Sequence, residues 1–176
     1  MGQDHAVRCT DPVPYMERTR DYYAAQGYPK PYQWAQADET PFTVLRKPVT
    51  ESTLALITTA SPMRDRKPGD GVSPSGETLL MEKATFSGSI DEPPAQLFTG
   101  DLSWDKETTH TEDLGSFFPL AILKELVAAG ELGALASRYH CVPTEYSQRQ
   151  TLEQDAPLIR DRAIEDGADI ALLVPL

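Results

Sequence analysis

Apolar residues recur along the chain with two different spacings. In "TLALITTA", Thr53 to Ala60, they run almost without a polar break. That composition predicts a strand covered on both faces rather than one with a wet side. The final eight residues, "DIALLVPL", carry the same signature. Steps of three and four residues mark the helices instead. In "YMERTRDYYAAQGY" the recurring positions are Tyr15, Arg18, Tyr22 and Ala25, with Gly27 as a stop. Leu120, Leu123, Leu126 and Val127 form a second stripe, with Ser116 as its cap, Pro119 in the opening turn and Gly130 as terminator. A third helix is expected to open at Thr151 or Asp155, to carry Pro157 in its first turn, and to run through Leu158, Ile159 and Ala163 to Gly167.

Weaker patterns fill the gaps. "ATFSGSI" reads as a short strand or hairpin arm, "QLFTGDLSW" from Gln96 to Trp104 as another strand, and Leu135 to Val142 as a strand after a turn at Gly133. The stretch "PMRDRKPGDGVSPSGE" is dense in Pro, Gly, Ser and charge and reads as a loop or lid. Helix, glycine, short turn and apolar strand make the second half of a β-α-β crossover. The fold class expected is α/β: an open, mostly parallel sheet with helices on both sides, Rossmann-like or flavodoxin-like. Residues 1–40, with Tyr32 and Trp34 in a proline-rich segment, are read as a helical arm packed on the main body. Residues 41–176 are read as the α/β domain, incomplete at its carboxyl end.

At 176 residues and 40% hydrophobic content, the chain suits one cored domain better than two. Its formal charge of −11 repels phosphate backbones and anionic lipid, so neither nucleic-acid nor membrane-surface binding is expected. No apolar run is long enough to span a bilayer, and "MGQDHAVRCTDPVP" has neither the charged start nor the apolar middle of a signal peptide. A cytoplasmic location follows as the expectation. Cys9 and Cys141 belong to no C-x-x-C pair, so they read as free thiols rather than as a disulfide framework or zinc knuckle.

Phosphate-loop, nucleophile-elbow and dinucleotide fingerprints are all missing. Two polar segments stand where open α/β sheets keep their chemistry, beyond strand carboxyl ends. "SWDKETTHTEDLGS" holds Asp105, His110, Glu112 and Asp113. His110 is a candidate acid, base or oxyanion donor, although Glu112 and Asp113 also suit a plain helix-leading loop. "RYHCVPTEYSQRQT" holds His140, Cys141, Thr144, Ser147, Gln148 and Arg149. Its side-chain donors could hold a small carboxylate, Arg149 bidentately, or could simply tie a turn ahead of a helix. Cys141 follows His140 and could be activated by a charged imidazole, but neighbours on a strand point to opposite faces.

"TLALITTAS", "DLGSFFPLAILKELVAAGELGALASRYH" and "DGADIALLVPL", in this order, resemble the glycine/sarcosine/betaine reductase component B and D-proline reductase family. The likeness runs from about Tyr15 to Leu176 and is poorest in the Pro/Gly/Ser loop. It implies a selenol- or thiol-dependent reductase. A chalcogen anion attacks the carbon beside an amine, the C–N bond breaks, and a second thiol restores the enzyme. In the family a selenocysteine or cysteine follows the strand resembling "ALLVP", so the expectation is a chain cut short before that residue and inactive alone. A UGA codon translated as stop, a gene fragment or a split subunit would each produce it. His110, His140 and Arg149 would then position substrate, with Asp105, Thr144 and Ser147 beside them.

The implied partners are a small amine or amino-acid substrate, with a thiol reductant protein or partner subunit; a homo-oligomer is also admitted. No cofactor is expected within this chain, and a carbonyl cofactor would come from another subunit. Two other readings stay open: a non-catalytic subunit whose sheet a partner chain completes, and a Cys141-dependent enzyme using His110 or His140.

Overall fold

A computed structural model describes residues 14–28, 30, 33–36, 38–62, 85–99, 110–142 and 147–176. The Pro/Gly/Ser loop beyond Pro62, Cys9, Tyr32, Asp105 and Thr144 lie outside them. Chain contacts define two units, one of residues 1–37 with 101–110, the other of 38–100 with 111–176. In the first, α1 (Tyr15–Ala25) forms where expected, but the stripe of Tyr15, Arg18, Tyr22 and Ala25 is exposed and the covered positions are Thr19 and, in part, Tyr23. It ends at Gly27, whose φ of 84° an L side chain rarely adopts. Tyr23 meets Tyr22 and Tyr28 edge-on.

The second unit is α/β and is built around β1 (Thr53–Thr58), of which five residues are buried. A strand residue has two lateral neighbours, and Leu54 pairs Leu135 on one side and Ile170 on the other. Accordingly β3 (Ala134–Leu135) and β4 (Arg138–Cys141) follow one another along one side of β1, and β5 (Ile170–Val174) lies along the other, all parallel to it. The short β2 (Phe86–Ser89) runs antiparallel outside β4. Among the described residues the result is a mixed, mostly parallel sheet of five strands with β2 and β5 at its margins.

Alternation along β1 sends Leu54 and Leu56 to one face, where they join Tyr139, Cys141 and the stripe of α2 (Leu120–Ala128) in the main core. Each such leucine contributes about 2 kcal/mol through burial. The opposite face carries Ile57 and His140, and α4 (Ala156–Glu165) packs there through Ile159. Both sides of the sheet therefore bear a helix, and Gly130 and Gly167 turn the chain out of α2 and α4 with φ of 73° at each.

Four expectations need correction. Ser116 does not cap α2: its hydroxyl donates to the Asp113 carbonyl at 2.7 Å inside a 3-10 turn, Leu114–Ser116. Asp113 caps that turn by accepting from the Gly115 N–H at 3.0 Å, and the chain then enters α2 directly from Pro119. The last helix has its regular α portion where expected, after Asp155 with Pro157 in the first turn, but helical backbone opens earlier than Thr151, at Ser147, whose Oγ accepts from the Gln150 N–H at 3.2 Å. From there α3 (Gln148–Gln150) passes through a π turn (Thr151–Asp155) into α4. The expected strand over 135–142 is interrupted, because Ala136 to Tyr139 of that strand span only Ala55 and Leu56 of β1. Insertion of an even number of residues makes a bulge that keeps the facing of side chains on either side of it. Finally, the stretch from Gln96 gives a single bridge, Phe98 with Ser61, among its described residues.

Candidate active site

Thr58 pairs with both Cys141 and Val174, so β1, β4 and β5 finish level with one another. In open α/β sheets this carboxyl edge is where ligands bind. A groove of about 650 Å³ between α4 and the β1–β5 pair reaches this edge and runs back along β5 to Ala168, lined by Ile57, Thr59, Thr151, Ile159, Ala163 and Leu173 among others. Its walls are mainly apolar. Thr59 Oγ1 accepts from the Leu176 N–H at 2.8 Å and donates to the Leu176 carbonyl at 3.3 Å, which holds the tip of β5 at the mouth. The other end of β5 is fixed by Asp169, whose Oδ2 meets Lys47 Nζ at 2.6 Å and the Thr53 N–H at 2.8 Å. Both contacts, Lys47 foremost, hold the Asp169 carboxyl below its usual range.

The outer wall is uncovered. Leu173 is 68% exposed and Ile164 65%, and among the described residues β5 pairs with β1 alone. The face of β5 bearing Ala171, Leu173 and Pro175 is therefore the open side of the groove, while Ile170, Leu172, Val174 and Leu176 pack toward the main core.

The residues singled out from sequence fall in separate places. His110 is exposed and belongs to the first unit. Arg149 has a side chain 78% exposed, pairs with Glu153 at 3.6 Å, and does not line the groove. Ser147 serves the helix start, and Thr151, one turn on, donates to the Ser147 carbonyl at 3.3 Å. Cys141 is wholly buried in the core, where burial pushes its thiol up to about 12. At neutral pH a thiol so placed holds almost no thiolate, so the Cys141-dependent reading gains no support. His140, its neighbour, points to the opposite face.

There His140 enters a polar cluster that no sequence motif announced. Its Nδ1 lies 2.9 Å from Ser87 Oγ, and Arg162 Nη1 donates to that same oxygen at 3.0 Å. Arg138 Nε donates to both carboxylate oxygens of Asp166, at 2.8 and 3.0 Å, and its Nη2 donates to Glu165 at 2.7 Å. These carboxylates, Asp166 before Glu165, raise the Arg138 guanidinium further above its ordinary value. His140 Nε2 faces Asp166 Oδ2 at 3.6 Å, too long for a hydrogen bond, and is buried without a partner. Burial holds the imidazole below its ordinary pKa against the pull of Asp166, and the charges of Arg138 and Arg162 act in the same direction as burial. Arg138 and His140 share a face because they stand two apart on a strand. That alternation was the only trace of the cluster in the sequence; Ser87 and Asp166 are brought in by β2 and α4.

No helix among the described residues is long and apolar enough to cross a membrane. Compared with protein-family models, curated proteins and solved structures, the chain matches none.

Proposed function

We propose that this chain is the scaffold of a selenol- or thiol-dependent reductase acting on a small amine or amino acid by reductive C–N cleavage, in the manner of glycine, betaine and D-proline reductases. The observation that carries the reading is the position of the groove. It runs along β5 from Ala168 to Pro175 and reaches the level carboxyl ends of β1, β4 and β5 at Thr58, Thr59 and Val142, and the resemblance puts the reactive chalcogen just after the strand corresponding to β5. In this proposal the apolar walls hold the carbon skeleton of the substrate, and Thr59 and Thr151 supply polar contacts at the mouth. Neither cysteine of the 176 residues follows β5. In this proposal the reactive chalcogen is neither Cys9 nor Cys141, and a thiol reductant or partner subunit restores it.

The same proposal takes the sheet as Rossmann-like, residues 1–40 as a helical arm, and the cytoplasm as the compartment. A turnover assay tests it. With dithiothreitol as reductant and glycine, betaine or D-proline as substrate, residues 1–176 should release no amine and open no proline ring. Turnover above the buffer control would contradict the assignment of the nucleophile.

Among the described residues β5 pairs on one side only, which favours a second reading, a non-catalytic subunit whose sheet a partner chain completes. An exposed, uncharged edge is the usual template for strand addition. Light scattering after size-exclusion chromatography separates the two: a monomer whose mass does not change with the Leu173→Lys substitution tells against this reading as a self-assembly, and a stable complex lost on that substitution supports it.

A further inference from the structure

We infer that the contact between Ser87 and His140 is an acid-released latch that holds the marginal strand β2 to β4 and α4. The inference is independent of the reductase reading. β2 has four residues and among the described residues pairs with β4 alone, so its described attachment depends on few contacts. Gly88 lies against the Tyr139 ring, where a Cβ would come within 2.5 Å of the phenol oxygen. Ser87 supplies the polar tie, to β4 through His140 and to α4 through Arg162.

The protons on this tie can be assigned from its partners. A guanidinium only donates, so Ser87 Oγ accepts from Arg162. Were Nδ1 of a neutral imidazole also to donate to that oxygen, the bare lone pair of Nε2 would face the Asp166 carboxylate. The favourable arrangement has the serine hydroxyl donating to Nδ1 and the imidazole proton on Nε2, directed at Asp166. Every proton then has an acceptor or a negative charge ahead of it.

A second imidazole proton removes the acceptor that the serine hydroxyl uses. Arg162 and His140 would both donate to one neutral oxygen, and the hydroxyl proton would lose its partner. The described groups around the ring are Arg138 on its own strand; Arg162, Asp166 and, through Arg138, Glu165 on the helix side; Ser87 on β2; and the uncharged Ile57 on β1. Protonation sets three cations against two carboxylates already engaged by Arg138.

The sign of the linkage follows from this geometry. A histidine whose pKa is lower in the closed state than in the open one takes up a proton more readily when open, so acid favours opening. Closure is complete above the ordinary histidine range. It weakens as pH falls through that range toward the lowered value of the closed state, and does not weaken further below it.

Hydrogen exchange on the whole chain tests the latch. The probes are the Ile90 amide, bonded to the Ser137 carbonyl at 3.1 Å beside β2, and the amides of β2 and β1. After correction for intrinsic rates, protection at β2 and Ile90 should fall about two- to tenfold between pH 7.5 and 5.0, the loss expected when one hydrogen bond is given up. Protection at β1 should hold. His140→Gln should remove the pH dependence, and Ser87→Ala should lower β2 protection at both pH values and flatten the difference. Equal protection of β2 at the two pH values, or an undiminished dependence in either variant, would overturn the inference. Should His140→Gln not fold, the Ser87→Ala exchange and an NMR titration of His140 decide the matter. Titration above the ordinary histidine value, with Nε2 closing on Asp166, would also overturn it.

Discussion

Cys141 and His140 are both fully buried, yet a one-residue step along β4 gives them different surroundings. The thiol lies among core side chains, and the imidazole meets two arginines, a serine and a carboxylate. For Cys141 the consequence is inertness. At pH 7.5, alkylation by iodoacetamide, mapped by mass spectrometry of the Cys141 peptide, should be on the order of a thousandfold slower in the native chain than in guanidinium chloride. Rapid labelling of the native chain would restore the case for a reactive thiol. For the cluster, Asp166→Asn removes the carboxylate that two donors of Arg138 share. A loss of about 1–3 kcal/mol of stability is expected in urea denaturation, the usual cost of leaving a charged donor without its partner. Alternation in "RYHC" made the opposite facing of His140 and Cys141 legible in the sequence. It could not reveal that Ser87 and Asp166, 53 residues before and 26 after His140 by sequence number, close around the ring, because such partners are set by strand order and helix placement.

Among the elements, the buried strand β1, the stripe of α2 and the terminal strand β5 were legible because long apolar runs and regular spacing leave few alternatives. Helix starts were not. Ser116 and Asp113 both have side chains able to cap, and the backbone turn at Leu114–Ser116 gave the role to Asp113. The last helix starts at Ser147 because its hydroxyl reaches the Gln150 N–H, and a π turn then accommodates the passage into α4. Ser147→Ala should therefore cost about 1 kcal/mol in chemical denaturation, whereas Thr151 is placed as an interior residue and not as a cap. The interruption between β3 and β4 also escaped sequence reading, since a bulge that preserves alternation leaves no mark on the pattern of apolar positions.

At the scale of the whole molecule, the α/β class and the parallel pairing of β1 with β3, β4 and β5 follow from the crossover pattern, while the antiparallel β2 does not. Of the groove proposed as the site, only the end that reaches the carboxyl edge of the sheet lies where the sequence directed attention. The two polar segments that drew notice supplied Ser147 and Thr151 near it but left Arg149 in solvent. The groove itself is built by apolar residues whose sequence signature is the same as that of core. Its role as a substrate site is the central proposition, and chemical-shift mapping tests it most directly. Addition of betaine, glycine or D-proline to the isotopically labelled chain should move the amides of Thr59, Thr151, Ile159 and Leu173 together and saturably. Unchanged spectra at saturating concentrations, or shifts confined to residues away from the β5–α4 groove, would contradict it.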